Sequence, residues 1–178
     1  MKYDLVIIGS GPGGYVAAIR ASQLGMKTAL IEKYPTLWGT CLNVGCIPSK
    51  ALLDSSEHFH QAQHQFAAHG ICLKSLSMDF SQMISRKDEV VKQTCDGVAF
   101  LMKKNAVDVH YGTGSFVDAT HIKVTGADGN DVVLETTNVI IATGSKPVTP
   151  ASMQYDKQRV ITSTEALSLP KLPDHMVI

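Results

Sequence analysis

Residues Lys2–Gly14 read KYDLVIIGSGPGG, a nearly continuous apolar run that passes directly into a glycine-rich turn. An apolar run without alternation is typical of a parallel strand buried on both faces. Gly9, Gly11 and Gly14 follow the Gly-x-Gly-x-x-Gly spacing. In that spacing the first glycine permits a tight turn, the second lets the backbone approach a pyrophosphate, and the third lets the helix pack closely on the strand. The stretch therefore predicts a strand, a dinucleotide-binding turn and a helix.

The next residues complete a βαβ unit. Apolar residues at helical spacing follow the glycines, Gly25 can end that helix, and Lys27–Glu32 has the pattern of a second buried strand. Glu32 closes this strand at a position where an acid accepts hydrogen bonds from an adenosine ribose, and it disfavours a 2′-phosphate. These elements in this order predict an α/β fold with a dinucleotide site.

A pair of cysteines lies in the segment Gly39–Lys50, which reads GTCLNVGCIPSK. On an ideal helix the Cα atoms of Cys41 and Cys46 would be about 8.6 Å apart, whereas a disulfide needs about 7 Å or less. Either the thiols never meet and are ordinary small core residues, or the backbone leaves helical geometry, for which Gly45 is suited. Pro48 fits the first turn of the following helix. A bridge closed at such a helix start is easily reduced and re-formed, which favours a redox pair.

The position of this pair bears on the choice of cofactor. It follows directly after the acid that ends the second strand, so the thiols are close along the chain to the predicted dinucleotide. NAD has little use for an adjacent dithiol, whereas a flavin can exchange an electron pair with one. FAD is the cofactor consistent with both motifs.

Composition limits the remaining classes of function. The chain has 178 residues, and its 16 Lys and Arg balance its 16 Asp and Glu. This balance indicates neither a nucleic-acid partner nor an anionic membrane surface. Four cysteines are too few for a secreted disulfide scaffold, and no apolar run is long enough to span a bilayer. We therefore expect a soluble protein in the cytoplasm.

The middle of the chain reads as two helices. The first continues from Lys50 through about Ala68, and the second covers Asp79–Lys104 with Asp79 or Ser77 as its cap. Cys72 and Cys95 are expected to be buried thiols outside the redox pair. The first helix and its end carry scattered histidines without a third ligand, so no metal site is predicted; they are His58, His60, His64 and His69.

From Val107 the hydrophobic period changes from 3.6 to 2, which predicts short strands. The expected strands are Val107–Gly112, Gly114–Val117, Thr120–Thr125 and Asp131–Glu135, the last three as an antiparallel meander. Asn138–Ala142 is expected to be a separate, buried parallel strand ending in small residues that suit close approach to a ligand. The proline-rich tail is expected to finish with the start of another strand at His175–Ile178.

The motif Cys41–Lys50, the amino-terminal glycines and Ala142–Gly144 together resemble the flavoprotein disulfide reductases, in the form found in dihydrolipoamide dehydrogenases. The likeness covers the whole chain. It implies a Rossmann-like FAD-binding domain over residues 1–148, with a parallel sheet, helices on both faces and an antiparallel β-meander insertion. Residues 149–178 would be a linker leading to an NAD-binding domain that this chain does not include.

The resemblance also implies an activity, which is FAD-dependent oxidation of dihydrolipoyl groups to lipoyl with NAD⁺ as acceptor, within cell redox homeostasis. Cys41 would exchange with the dihydrolipoyl group, Cys46 would form a charge-transfer thiolate and pass the electron pair to FAD, and Lys50 would lie near the flavin N5. The implied partners are lipoyl-bearing components of a 2-oxo acid dehydrogenase complex, and the full-length protein would be a homodimer. The implied cofactor-binding residues are Gly9, Gly11, Pro12, Gly14, Glu32, Lys33, Gly39, Thr40, Cys41, Cys46, Lys50, Gly114, Ala142, Thr143, Gly144 and Ser145.

Two departures from the family pattern matter. The family has Gly-Gly before Thr-Cys, whereas this chain has Trp38, which would be strained if the position needs a positive φ. The family's NAD-binding, central and dimer domains are not in this chain, and the dimer domain supplies a His-Glu base, for which His175 stands in the wrong context. The isolated chain is therefore expected to be inactive toward NAD⁺. A glutathione- or mercuric-reductase-like enzyme and a non-catalytic flavin-binding fragment remain alternatives.

Overall fold

The computed structural model describes all 178 residues, Met1–Ile178. Its strands are β1 (Lys2–Ile8), β2 (Thr28–Glu32), β3 (Asp108–Tyr111), β4 (Thr113–Phe116), β5 (His121–Thr125) and β6 (Asp131–Ile141). Its α-helices are α1 (Pro12–Gln23), α2 (Gly39–Val44), α3 (Cys46–His64), α4 (Phe80–Lys104) and α5 (Ser163–Ala166). Two short 3₁₀ turns cover Phe66–His69 and Ala151–Met153.

The six strands form one mixed sheet in the order β3-β2-β1-β6-β5-β4. Strand β1 lies between β2 and β6 and is parallel to both, and β2 is parallel to β3. Strand β5 is antiparallel to β4 and to β6. This confirms the α/β fold with a parallel part and an antiparallel meander.

The parallel part of the sheet contains the hydrophobic core. Every residue of β2 is buried, and the last four residues of β1 are buried as well. A polar side chain buried in such a strand needs a hydrogen-bond partner, so most positions of these strands are apolar, and the polar Thr28 and Glu32 lie at the two ends of β2. Side chains of the meander, Ile122, Val124 and Leu134, join the same core.

Strand β6 differs from the prediction. The expected strands Asp131–Glu135 and Asn138–Ala142 are one continuous strand, since Thr136 and Thr137 between them are extended and carry no turn. The first half pairs with β5 and the second half pairs with β1. The prediction that the second half is buried is also wrong, because Ile141 is 67% exposed and Ile140 is 37% exposed.

Three further predictions need correction. The helix expected to reach Ala68 ends at His64, after which Gln65 separates it from a 3₁₀ turn closed by Gly70 in the left-handed region. His175–Ile178 forms no strand. Cys72 is exposed and Cys95 is only half-buried, so neither is the fully buried thiol that was expected.

The chain divides into two compact units. The first comprises residues 1–43 and 93–146 and contains the whole sheet. The second comprises residues 44–92 and 147–178, and within it Arg86 donates to the Asp54 carboxylate at 2.8 Å and to the Ala51 carbonyl at 3.0 Å. In the tail of this unit, Thr162 caps α5 with a capping box completed by Glu165.

Candidate functional site

The turn after β1 requires glycine at two positions. Gly9 has φ +101°, and a Cβ at this position would overlap the carbonyl oxygen of Ala142. A Cβ at Gly14 would overlap the carbonyl oxygen of Gly9. The first and third glycines of the predicted motif therefore bring β1, α1 and the residue after β6 into direct backbone contact, as the close-packing interpretation expects.

The second glycine of the motif is different, because a Cβ at Gly11 would meet nothing within 4 Å. Its backbone is extended, with φ −61° and ψ −179°, and it precedes Pro12 at the first position of α1. The backbone N–H groups of Gly11 and Gly13 donate no hydrogen bond within the chain. Donors left over at a helix start, beside open space, provide what a diphosphate group needs.

The acid that ends β2 is buried and oriented by the chain. Glu32 is 5% exposed. One carboxylate oxygen accepts from the backbone N–H of Ser10 at 3.0 Å and from the Ser10 hydroxyl, and the other accepts from the backbone N–H of Tyr34 at 3.0 Å. A buried carboxylate held by two amides and a hydroxyl keeps a fixed direction, and the oxygen that accepts from Tyr34 keeps one lone pair for a ribose hydroxyl.

The backbone of Trp38 has a φ of +104°, the positive value that was expected to strain a residue with a side chain. Its side chain is fully buried, and its ring meets the Tyr15 ring edge-on, with centroids 5.0 Å apart. Its backbone N–H donates to the Ser10 hydroxyl at 2.7 Å. We infer that burial of the indole offsets the strain, which for a non-glycine residue in this region is about 1–3 kcal/mol.

The backbone between the two cysteines leaves helical geometry, which is one of the two alternatives that the sequence left open. Helix α2 ends at Val44, Gly45 has non-helical φ −143° and ψ −118°, and Cys46 begins α3 with Pro48 in its first turn. Cys41 is half-buried and Cys46 is exposed.

The remaining predicted cofactor residues are placed as follows. Gly39 has φ +58°, and a Cβ there would lie 2.9 Å from the Gly11 Cα, so the start of α2 adjoins the glycine turn. Gly114 lies against Ile8 and Ile31 in the core, where a Cβ would meet both within 3.4 Å. The other predicted residues are exposed; they are Pro12, Lys33, Thr40, Lys50, Thr143, Gly144 and Ser145. The ammonium group of Lys33 lies 4.9 Å from the centroid of the Tyr34 ring.

The first compact unit contains the glycine turn, Glu32, Gly39, Cys41 and Ala142. Cys46 and Lys50 belong to the second unit. Sequence reasoning missed Ser10 and Asn43, which bind backbone groups of this region. Ser10 occupies a variable position of the glycine motif, so the motif itself does not call for a serine there. Asn43 lies inside the cysteine motif, and a polar residue beside the half-buried Cys41 could have drawn attention to it.

Two findings concern other kinds of site. The rings of His60 and His64 are 4.6 Å apart, and nowhere in the chain do three or more metal-ligating side chains gather. None of the helices combines the length and the apolar character that crossing a membrane requires.

Comparison with known proteins identifies the family. Residues 3–178 match the family described as pyridine nucleotide-disulphide oxidoreductase, and the chain belongs to it. The leghemoglobin reductase of Vigna unguiculata is 49% identical over 175 residues, covering 98% of this chain and 34% of the relative. The mitochondrial dihydrolipoyl dehydrogenase of Schizosaccharomyces pombe is 48% identical over 178 residues, covering 99% of this chain and 35% of the relative.

A solved structure agrees with this assignment. A Cu(II) complex of the flavoprotein disulfide reductase RclA from Escherichia coli matches with a TM-score of 0.74 and 29% identity, covering 97% of this chain and 36% of that one. The chain spans about a third of the length of the curated relatives it matches.

The relatives also correct one prediction. The expected cytoplasmic location is wrong, because the related dihydrolipoyl dehydrogenases of Arabidopsis thaliana, Schizosaccharomyces pombe, Pisum sativum and Sus scrofa are named as mitochondrial proteins.

Proposed function

We propose that this chain is the FAD-binding and disulfide part of a dihydrolipoyl dehydrogenase, an enzyme that oxidises dihydrolipoyl groups with NAD⁺ as the final acceptor. The observation that carries the proposal is the glycine turn, with open space and two uncommitted amides at Gly11 and Gly13, next to the segment that presents Cys41. Relatives of 46–48% identity named dihydrolipoyl dehydrogenase support this substrate over glutathione or mercuric ion.

The chain's own residues suit FAD. The Gly11 and Gly13 amides would donate to the diphosphate, and the fixed Glu32 carboxylate would accept from the adenosine ribose. A Cβ at Gly39 would lie 2.9 Å from the Gly11 Cα, so the start of α2 adjoins the amides that would hold the diphosphate. When bound, FAD supplies a two-electron acceptor that can return the pair as hydride to NAD⁺.

The thiol chemistry assigned to the chain is an exchange. In the oxidised chain Cys41 and Cys46 share a disulfide, and one thiolate of the dihydrolipoyl group attacks it, forming a mixed disulfide with Cys41 and releasing the Cys46 thiol. The second dihydrolipoyl thiolate then displaces Cys41 and closes the lipoyl ring. Two protons and two electrons leave the dihydrolipoyl group, and the chain ends as the dithiol.

The same proposal covers the organisation and partners of the protein. Residues 1–148 form the FAD-binding domain, and 149–178 lead toward an NAD-binding domain. Lipoyl-bearing components of a 2-oxo acid dehydrogenase complex are the proposed partners, and a homodimer is the proposed state of the full-length enzyme. Thr40, Lys50 and residues 143–145 are the exposed groups that we assign to the cofactor.

The test uses Gly11→Val. Because Gly11 has ordinary extended backbone angles and open space around it, the substitution should leave the fold intact and fill the place of the diphosphate. Titration with FAD, followed by flavin absorbance and fluorescence, should show binding to the parent chain and at least a hundredfold weaker binding to the variant. Urea unfolding should give nearly equal stabilities for the two. A parent chain that binds no FAD, or a variant that binds it equally well, contradicts the proposal.

A second measurement tests the thiol donor. The chain is oxidised to the Cys41–Cys46 disulfide and mixed with dihydrolipoamide or with reduced glutathione at equal thiol concentration. Mass spectrometry should show faster reduction by dihydrolipoamide. In a Cys46→Ser variant, the Cys41 thiolate should instead open the ring disulfide of oxidised lipoamide, and alkylation of the lipoyl thiol released in this exchange should trap the mixed disulfide on Cys41. Equal rates of disulfide reduction by the two donors would contradict the proposed preference for dihydrolipoyl groups over glutathione.

A further inference from the structure

Asn43 connects the end of α2 to two other parts of the first compact unit. Its side-chain amide donates to the Leu37 carbonyl at 3.0 Å and to the Gly39 carbonyl at 3.1 Å. Its amide oxygen accepts from the Cys95 thiol of α4, with sulfur and oxygen 3.7 Å apart. One side chain thus holds the loop before Cys41 and is itself held from α4.

The same residue of α4 makes a second contact with this segment. The indole N–H of Trp38 donates to the Cys95 carbonyl oxygen at 3.1 Å. Trp38 precedes Cys41 by three positions and Asn43 follows it by two, so Cys95 is bonded on both sides of Cys41. The hydrogen bonds of Cys95 therefore define the ends of a six-residue segment, Trp38–Asn43, that presents Cys41.

The Cys95 thiol has the protonation state that this contact needs. Burial raises the pKa of the Cys95 thiol above its usual value, and the negative charge of Asp96 raises it further. The sulfur therefore keeps its proton at neutral pH and can donate to the Asn43 oxygen. A thiolate would instead face the oxygen lone pairs and repel them.

We propose that Cys95 is a positioning residue for Cys41. Its thiol and its carbonyl hold Asn43 and Trp38, and these two residues fix the segment on which Cys41 is presented. The proposal rests on the proposed function only in taking Cys41 as the exchanging thiol. It concerns a cysteine outside the redox pair, and the role assigned to it involves no bond making or breaking.

The experiment measures the rate at which iodoacetamide alkylates Cys41, resolved by peptide mass spectrometry. It uses the whole 178-residue chain without FAD, in a Cys46→Ser background that prevents a disulfide during the assay. Cys95→Val keeps an apolar side chain of similar size and removes the S–H donor, whereas Cys95→Ser keeps a donor. We expect alkylation of Cys41 to be about two- to tenfold faster in Cys95→Val, the effect of one lost hydrogen bond. In Cys95→Ser it should stay within about twofold of the parent.

A double-mutant cycle separates positioning from general destabilisation. If Cys95 acts through Asn43, Cys95→Val should cause no further acceleration in an Asn43→Ala background, because the shared contact is already lost. Cys72→Ser, which changes an exposed thiol, is the matched control and should leave the rate unchanged. Trp38 is the only tryptophan, so an unchanged emission maximum shows that the segment is still folded.

The outcomes are decisive in both directions. Three results together support the proposal. Alkylation of Cys41 is faster in Cys95→Val, it stays near the parent rate in Cys95→Ser, and Cys95→Val causes no further acceleration in the Asn43→Ala background. An unchanged rate in Cys95→Val, equal rates in the Val and Ser variants, or additive effects with Asn43→Ala overturn it. If Cys95→Val does not fold, Cys95→Ala, which also lacks the S–H donor, takes its place in the same comparison with Cys95→Ser and in the same cycle with Asn43→Ala. Failure of the proposed function would show instead as absent FAD binding, which this assay does not use.

Discussion

The backbone N–H of Trp38 donates to the side-chain oxygen of Ser10 at 2.7 Å, which joins the segment carrying Cys41 to the glycine turn. The Ser10 hydroxyl in turn donates to the Glu32 carboxylate. A buried serine thus accepts from one predicted site segment and donates to another.

Replacing this serine should therefore destabilise the protein. Ser10→Ala leaves the buried Trp38 amide without its acceptor and takes one donor from Glu32, and we expect a loss of about 1–3 kcal/mol in the free energy of unfolding. Urea denaturation followed by far-UV circular dichroism measures it. Ser56→Ala, which removes an exposed hydroxyl, is the control and should change stability by less than about 0.5 kcal/mol. Similar losses in both variants would contradict the bridging role of Ser10.

Neighbouring glycines of the turn give a second prediction. Gly14→Ala places a Cβ on the Gly9 carbonyl oxygen and should cost more than about 2 kcal/mol, because backbone must move. Gly13→Ala meets only the Ala142 Cβ at 3.9 Å, an ordinary contact, and should be neutral or stabilise by up to about 1 kcal/mol through helix propensity. Thermal and urea unfolding of both variants test the difference. Equal stabilities would mean that α1 does not pack on the turn as described.

The positive φ of Trp38 predicts an unusual order of substitutions. Both Trp38→Gly and Trp38→Ala lose the buried indole, at a cost of about 3–5 kcal/mol. Only glycine accepts φ +104° without strain, so the glycine variant should be more stable than the alanine variant by about 1–2 kcal/mol. Circular dichroism in urea suits both, since neither keeps a tryptophan. An alanine variant as stable as the glycine variant would show that the backbone angle carries no cost.

Tyr3 predicts a pH dependence. Burial, followed by the hydrogen bond and charge of Asp108, raises the pKa of Tyr3 to about 12. The folded state holds the phenolic proton more tightly than the unfolded state, whose tyrosines titrate near 10. Stability from this group is therefore fully present below pH 10 and is lost as pH rises toward 12.

The measurement compares the parent with Tyr3→Phe by urea unfolding between pH 9 and pH 11.5. The parent should lose up to about 2 kcal/mol more than the variant over this range. Tyr111→Phe, at an exposed tyrosine, should follow the parent. Parallel curves for the parent and Tyr3→Phe would refute the assignment.

Most of the fold could be predicted from the sequence because its signals are local. The apolar strand Lys2–Ile8, the glycine turn after it and the strand that ends at Glu32 were each expected from the sequence, and the structure contains all three. The break in the helix after Val44 was one of two alternatives that the sequence left open, with Gly45 as the residue suited to it.

The errors concern features that depend on distant parts of the chain. Thr136 and Thr137 interrupt the apolar pattern of β6 but not its extended backbone, because each half of the strand has its own partner. The contacts of Cys95 with Trp38 and Asn43 link residues more than fifty positions apart, and no local period reports them. Sequence reasoning could name the strain at Trp38 but not the buried packing that compensates for it.

The pairing of β1 with β6 also sets an order of events during synthesis. Lys2 pairs with Glu135, and Ile8 with Ile141, so the first strand leaves the ribosome long before its second neighbour exists. At about 5–20 residues per second, this interval is on the order of ten seconds. Throughout it, one edge of a strongly apolar strand is open to other nascent chains. We therefore expect newly made protein to rely on chaperones until residue 141 has emerged from the exit tunnel.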